Sequence, residues 1–144
     1  MLLRALMVIA SLHTGLPVKE TIPSLRTAPP VELACEARGF QNCEGIAFNY
    51  SVENLYAIYR ADLKEIVMRE GIKLDTVVGT AMLLHEMVHH LQKDSGRKYA
   101  CRGAEEWEAY NTQIAFLRYN GVDPWLVMQT DEITLLVLTA CGPT

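Results

Sequence analysis

The segment LLHEMVHHLQKDSG at residues 83–96 contains three of the four histidines in the chain. His85 and His89 are four residues apart, so on a helix both imidazoles project from one face and can bind the same metal ion. Glu86 follows the first histidine and lies beside that ion without having to bind it. The apolar residues around this H-E-x-x-H pattern indicate a buried helix, so the rest of the fold has to surround it.

Helical spacing extends well beyond the histidines. Asp75 or Thr76 can begin this helix, and Ser95-Gly96 can end it. A second helix is predicted over about residues 103–119, and the tail after Asn120-Gly121 is expected to add one or two more. The apolar positions of the first helix are Val77, Val78, Ala81, Leu84, Val88 and Leu91.

A catalytic zinc ion needs a third protein ligand and one open position for water. Two histidines are poorly placed for that role. His90 is rotated by about 100° from His89 on the helix, and His13 lies in the N-terminal apolar segment. The third ligand is therefore expected to be a carboxylate. The start of the next helix offers three, namely Glu105, Glu106 and Glu108.

Helical period favours Glu106 among these three. If the loop over residues 95–102 returns the chain antiparallel, His89 and Glu106 lie at the same level, each roughly 9 Å from the loop. Glu105 is the second choice, and Glu108 is expected to face solvent or to support the site from behind. The stripe that joins the favoured acid to the core contains Glu106, Tyr110, Gln113 and Leu117.

The segments HEMVHHLQ and EEWEAYNTQIAFL together resemble the gluzincin branch of zinc metallopeptidases, in which a Glu on the next helix completes an H-E-x-x-H site. More narrowly, they are similar to a small bacterial family of often exported domains with H-E-M-V-H-H-L-Q and E-x-E-A-Y-x-x-Q. The resemblance covers about residues 80–118. It implies a zincin-like fold and a peptide or protein substrate.

Position by position, the resemblance implies that His85, His89 and Glu106 bind Zn²⁺ and that Glu86 is the catalytic acid/base. The implied chemistry is metal-assisted hydrolysis of a peptide or amide bond. The sequence departs from many gluzincins at Tyr110, where they have an Asp four residues after the ligand Glu. The partner that orients a ligating histidine is therefore not identified.

Tyr110, and with lower priority Tyr99 or Tyr119, is a candidate to donate a hydrogen bond to the oxyanion. A tyrosine on a helix is more often packed surface. Two alternatives to a hydrolase stay open. One is a non-catalytic metal-binding or partner-binding domain, and the other is a metal-free helix whose histidines are hydrogen-bonded to carboxylates.

Composition limits the partners of the chain. With 50% hydrophobic and 21% charged residues, the sequence is typical of a single globular domain. A formal net charge of −4 leaves no broad basic surface, so nucleic acid is not an expected partner. The apolar runs near both ends are too short to span a bilayer. Oligomeric state is left open.

Residues 1–16 resemble a short secretory signal peptide, with an early Arg followed by an apolar run. The alternative is an N-terminal apolar helix or strand packed on the domain. Residues 17–30 contain four prolines and are predicted to be a linker. Residues 31–144 are then one zincin-like metal-binding domain. The protein is expected to be exported, with a cytoplasmic location as the alternative.

The four cysteines have no C-x-x-C spacing, so two disulfides in an oxidising compartment are predicted. Three pairings are possible, and the sequence does not choose among them. The alternative is buried free thiols in a cytosolic protein. The cysteines are Cys35, Cys43, Cys101 and Cys141.

The predicted fold is α+β and mainly helical, with three or four helices around the metal helix and a small antiparallel β-hairpin. The hairpin is predicted over about residues 46–52 and 55–59, where β-favouring runs flank Glu53-Asn54. A helix is predicted from Asp62 through Arg69 or Glu70, with Gly71 ending it.

Overall fold

The computed structural model describes residues 1–19 and 21–143. In that part of the chain, 56% of the residues are helical and a small sheet has three strands, which confirms the α+β, mainly helical class. The elements are α1 (Leu2–Thr14), β1 (Ser24–Ala28), α2 (Pro30–Ala37), α3 (Ile46–Asn54), β2 (Ala57–Arg60), β3 (Glu65–Arg69), α4 (Val77–Ser95), α5 (Arg102–Tyr119), α6 (Pro124–Met128) and α7 (Glu132–Thr139).

Helix α4 is the centre of the molecule and has the bounds that its apolar spacing predicts. The Thr76 hydroxyl accepts a hydrogen bond from the backbone N–H of Gly79 at 3.1 Å and caps the first turn. Gly96 ends the helix with φ 69°, a left-handed conformation that glycine adopts without strain. The helix contributes five fully buried apolar side chains to the main core: Leu83, Leu84, Met87, Val88 and Leu91.

Helix α1 packs against α4 and buries Leu6, Met7 and Ala10. The segment considered as a signal peptide is thus a packed apolar helix in the structure, which was the alternative interpretation. Its cleavage stays a prediction. Across residues 1–19 and 21–143, no helix is both long and apolar enough to cross a membrane.

The sheet has the strand order β1-β3-β2. Strand β2 pairs antiparallel with β3, so a hairpin is present, and β1 joins the other side of β3 in parallel. The first predicted strand of the hairpin was wrong, whereas the second, predicted over about residues 55–59, overlaps β2. Residues 46–54 form α3, and the residues predicted as a helix from Asp62 contain β3 instead.

Burial of β3 on both faces explains the wrong helix prediction. Ile66 and Met68 lie in the main core, while Val67 packs on the opposite face with Leu33 and Ala28. A strand that is buried on both faces loses the alternation of apolar and polar residues, so its apolar run cannot be told from part of a buried helix.

The linker predicted over residues 17–30 was also wrong in its second half. Ser24–Ala28 is β1, and α2 begins at Pro30. Pro23 and Pro29 flank the strand, where they remove no ladder hydrogen bond from it. The ordered domain therefore includes residues before 31. Strand β1 forms because β3 offers it a partner about 40 residues away in sequence, which local composition does not reveal.

Two disulfides are present, as predicted. Cys35 bonds to Cys43 and holds the loop that follows α2. Cys101 bonds to Cys141 and ties the start of α5 to the chain just beyond α7. No free cysteine occurs in the part of the chain that the structure describes.

A buried carboxylate joins α2 to the sheet. Glu36 is 5% exposed, and its Oε1 accepts hydrogen bonds from Arg26 on β1 and from Arg60 on β2, the latter at 2.6 Å. Arg26 also donates to Glu65 on β3 at 2.9 Å. Burial by itself would raise the pKa of Glu36, but the hydrogen bonds and charges of the two arginines hold it below its ordinary value.

We expect Glu36→Gln to lower the free energy of unfolding at neutral pH by about 2–3 kcal/mol, because it leaves two arginines without their shared anion. The folded-state pKa of Glu36 lies below the unfolded value. Its contribution is therefore complete above about pH 4.3 and is lost as the pH falls through the folded-state pKa. Urea unfolding of both proteins over a series of pH values measures the difference.

Glu32→Gln is the matched control, since Glu32 lies on the same helix and is exposed. It should change the free energy of unfolding by less than about 0.5 kcal/mol. Equal effects of the two substitutions, or an effect of Glu36→Gln that persists in strong acid, would contradict the prediction.

Candidate metal centre

Helices α4 and α5 bring three side chains to one point. Glu106 Oε2 lies 3.2 Å from Nε2 of His85, and Glu106 Oε1 lies 3.0 Å from Nε2 of His89. The ligand atoms of these residues all lie within 4.8 Å of one another. The prediction that Glu106 faces both histidines across an antiparallel return is confirmed.

The spacing of these atoms fits a zinc ion. Zinc binds imidazole nitrogen and carboxylate oxygen at about 2.0–2.1 Å, which places tetrahedral ligand atoms roughly 3.3 Å apart. The two observed nitrogen–oxygen distances are close to that value, and each runs to a different oxygen of Glu106. The donor set of two imidazoles and one carboxylate is also the set found in catalytic zinc sites that keep a fourth position for water.

A glutamine fixes the orientation of His89. The side-chain oxygen of Gln92 lies 2.8 Å from His89 Nδ1. The Gln92 amide cannot be turned around, because its NH₂ group donates to the Glu105 carbonyl at 2.9 Å and to Glu108 Oε1 at 3.0 Å. An amide oxygen only accepts, so Nδ1 of His89 must carry a proton. Nε2, which lies 3.0 Å from Glu106, is therefore the nitrogen that can bind a metal ion.

A second glutamine contacts the ring of His85. Gln113 Oε1 lies 2.9 Å from His85 Nδ1, and both residues are buried. Each Nε2 thus faces a carboxylate oxygen, and only a cation between them, either a proton or a metal ion, satisfies the arrangement. Sequence reasoning did not assign these roles to Gln92 and Gln113. Both glutamines stand in the segments HEMVHHLQ and EEWEAYNTQ, which was the available signal.

Glu108 supports the site from behind, as one of the two sequence-based expectations proposed. Its Oε1 accepts from Gln92 and from the hydroxyl of Tyr99 at 2.5 Å, and Arg97 lies 3.6 Å from its Oε2. Glu105, the second choice as ligand, instead pairs with Lys93 at 3.2 Å. The structure therefore gives the three acids different partners: Glu106 faces the histidines, Glu108 holds Gln92, and Glu105 pairs with Lys93.

The charges at the site reinforce one another. Burial would lower the pKa of His89, but the hydrogen bond and charge of Glu106, together with the charge of Glu86, raise it to about 9. For Glu106 the effects have the opposite sign. Burial alone would raise its pKa, but the two histidines hold that pKa well below its usual range. Without a metal, the pair keeps a proton at neutral pH, so a metal ion must displace that proton on binding.

Glu86 and Tyr110 lie beside the three converging residues and line an open cleft of about 680 Å³. Glu86 is 8% exposed, and burial raises the pKa of its carboxyl group. The Tyr110 ring lies 4.5 Å from the His85 ring, centroid to centroid. Burial, followed by the charges of Glu106 and Glu86, raises the pKa of Tyr110, so its hydroxyl keeps a proton that it can donate.

The other tyrosine candidates lie elsewhere. Tyr99 donates to Glu108 behind the site, and Tyr119 is 91% exposed and lines a separate, smaller cavity. The remaining histidines are also apart from the centre. His90 is fully buried between the Tyr59 hydroxyl at 2.8 Å and the Thr21 carbonyl at 2.9 Å, and His13 contacts the Thr112 hydroxyl at 2.9 Å.

Comparison with known proteins identifies one protein family that the chain matches. The family described as "Domain of unknown function (DUF6647)" matches residues 4–143. No curated protein matches the chain, and no solved structure does. The match covers most of α1, the candidate metal centre and all four cysteines, so these lie within one family domain.

We expect the purified protein to contain close to one zinc ion per chain, and expect His85→Ala, His89→Ala and Glu106→Ala each to lose it. Each substitution removes one of three ligands, and two ligands do not hold zinc against water. Elemental mass spectrometry of protein prepared without chelator measures the content. Glu105→Ala is the control and should keep the metal. Zinc retained in Glu106→Ala but lost in Glu105→Ala would contradict the assigned ligand.

We expect Gln92→Leu to weaken zinc binding by about 10–100-fold, because His89 loses the oxygen that fixes its ring and tautomer. Competition with a chromophoric chelator measures the affinity. Gln41→Leu, at an exposed position away from the site, makes the same chemical change and should leave the affinity unchanged. An unchanged affinity in folded Gln92→Leu would show that His89 needs no such support.

Proposed function

The chain belongs to the DUF6647 family, and we propose that it is a zinc-dependent, metallopeptidase-like hydrolase that cleaves a peptide or amide bond. The observation that supports this most directly is the convergence of His85, His89 and Glu106 beside an open cleft that His85 lines, with Nδ1 of each histidine held by a carboxamide oxygen. The resemblance to gluzincins points to the same ligands, and the family assignment adds no activity of its own.

Glu86 is the proposed general base and acid. When bound, zinc supplies a Lewis acid that lowers the pKa of a water molecule and polarises the substrate carbonyl. Glu86 takes a proton from the attacking water on its carboxylate and delivers that proton to the leaving nitrogen as the C–N bond breaks. Burial of Glu86 supports this role, since a raised pKa brings a carboxylate closer to the range in which it can both accept and return a proton.

Tyr110 is the proposed donor to the developing oxyanion. It borders the cleft next to His85, and its hydroxyl keeps its proton. A hydrogen bond from a fixed donor that strengthens as negative charge grows on the carbonyl oxygen lowers the barrier. Many gluzincins have an Asp at this position. The role of Tyr110 is therefore proposed from the geometry of this chain and not from the resemblance.

The proposed location is an oxidising compartment outside the cytoplasm. Its support is the pair of disulfides, Cys35–Cys43 and Cys101–Cys141, because such bonds form and persist where thiols are not kept reduced.

We expect Glu86→Gln to keep zinc and to lower kcat by about 10²- to 10⁴-fold, since it removes the proton-transferring group and no ligand. Release of fluorescence from a quenched peptide library, with zinc content measured in parallel, tests this. The control is Glu105→Gln, which should keep both zinc and activity.

The same comparison addresses the alternative of a non-catalytic metal-binding or partner-binding domain. If wild type and Glu86→Gln bind zinc equally and neither cleaves any member of the library, the hydrolase proposal fails and the alternative is favoured. Equal cleavage by both proteins would also overturn the role assigned to Glu86.

A further inference from the structure

The cleft beside the candidate metal centre is a groove with a floor and two walls. The floor consists of α4 and α5, which carry His85, Glu86 and Tyr110. The first wall is the corner between α3 and β2, within residues 50–57. The second wall comes from α6, α7 and their connection, within residues 127–138. At about 680 Å³, the groove has the size of clefts that enclose most of a bound ligand.

The groove carries almost no charge. Among the described residues that line it, only His85 and Glu86 belong to the Lys, Arg, His, Asp and Glu classes, and both are part of the proposed catalytic machinery. The chain as a whole is 21% charged, so neutral walls are a distinct property of this surface. A charged substrate side chain that packs against either wall would lose water without gaining a counter-ion from that wall, which is unfavourable.

Both walls combine exposed apolar or aromatic side chains with neutral polar ones, the latter being Asn54, Gln129, Thr130 and Thr134. On the first wall, Tyr50 is 69% exposed and Tyr56 is 44% exposed, and on the second wall Leu138 is 73% exposed. The second wall continues along α7 with Ile133 and Val137, which are 74% and 70% exposed and are one helical turn apart. Ile133 and Val137 do not line the groove, but they lie on the helix that forms its second wall, so exposed apolar side chains extend beyond the groove along α7.

Contacts from outside the groove hold both walls. On the first wall, Arg69 donates to the carbonyls of Val52 and Glu53 at 3.0 Å each and to that of Leu55 at 3.4 Å, and it lies over the Tyr56 ring. These hydrogen bonds occupy the free carbonyls at the end of α3. The corner that carries Tyr50 and Tyr56 is therefore fixed without any ligand.

The second wall is fixed at the C-terminal end of α7. The Cys101–Cys141 disulfide joins that end to the start of α5, five residues before Glu106. A Cβ atom on Gly103 would lie 2.2 Å from the Thr139 carbonyl oxygen, so only glycine permits this contact. Walls that are fixed in advance reduce the entropic cost of binding.

We propose that this groove binds an uncharged, apolar stretch of polypeptide, so that the hydrolase cleaves protein or long-peptide substrates with large apolar side chains around the scissile bond. The inference rests on the proposed function, since it takes the metal centre as the reacting point. It names the substrate class that neutral walls, exposed aromatic and aliphatic side chains and a fixed shape would select.

The test uses zinc-loaded Glu86→Gln protein, which is expected to bind peptide without cleaving it. Fluorescein-labelled peptides of one length differ only in their central residues, which are Leu and Phe, Ser, Asp or Lys. Fluorescence polarisation should give binding of the apolar peptide about tenfold or more tighter than that of the Asp and Lys peptides, since one buried apolar side chain is worth at least that factor.

Two substitutions localise the effect. Leu138→Asp should weaken binding of the apolar peptide about tenfold, because it puts a charge on the groove wall. Leu126→Asp is the matched control and should leave binding unchanged, since Leu126 is 78% exposed on α6 but does not line the groove. Both positions are exposed, so thermal unfolding should confirm that both variants remain folded.

The outcomes separate this inference from the proposed function. Selective binding of the apolar peptide that Leu138→Asp weakens would support the groove even if wild-type protein cleaved nothing. If wild-type protein cleaved all the peptides at similar rates and the affinities were also similar, the hydrolase proposal would stand. The proposed selectivity of the groove for apolar peptides would be wrong. Equal losses from Leu138→Asp and Leu126→Asp would overturn it as well.

Discussion

Helix α4 carries polar side chains into the interior of a small domain, and the rest of the structure depends on how they are satisfied. A buried polar group without a partner costs about 1–3 kcal/mol. His90 and Gln92 are almost fully buried and are bonded to the segment before β1, to β2 and to α5. These bonds fix the position of α4 relative to its neighbours. His85 and Glu86 are also buried, and they lie on the side of α4 that lines the cleft, where the chemistry is proposed.

The framework around α4 is arranged so that the centre is formed before any ligand arrives. The Glu36 cluster joins α2 to all three strands, Arg69 holds the end of α3, and the Cys101–Cys141 bond joins α7 to the start of α5. None of these groups belongs to the candidate metal centre. A site whose side chains are fixed by packing and hydrogen bonds elsewhere keeps its geometry within the narrow range that catalysis needs.

Sequence patterns predicted the elements that depend on residues close together in the sequence. The bounds of α4 follow from its capping Thr76, its apolar period and Gly96, and the position of Glu106 follows from helical geometry across a short loop. The sheet was mostly misplaced, because β1 and β3 exist through pairing between distant segments and β3 is buried on both faces. The roles of Gln92 and Gln113 were missed for a related reason. A glutamine becomes an orienting group only through contacts three to 28 residues away, and no single helix contains them all.

The use of carboxamides to orient the histidines has an electrostatic consequence for the proposed hydrolase. A carboxylate partner would make each imidazole a stronger electron donor and offset part of the charge of the metal ion. Gln92 and Gln113 hold the same rings without adding negative charge. Among the proposed ligands, only Glu106 is an anion. The groove walls add no charge either. With few anions around it, a bound zinc ion would keep more of its positive charge for a substrate carbonyl. Neutral orienting groups and neutral walls would therefore have the same effect, because neither offsets the charge of a bound metal ion.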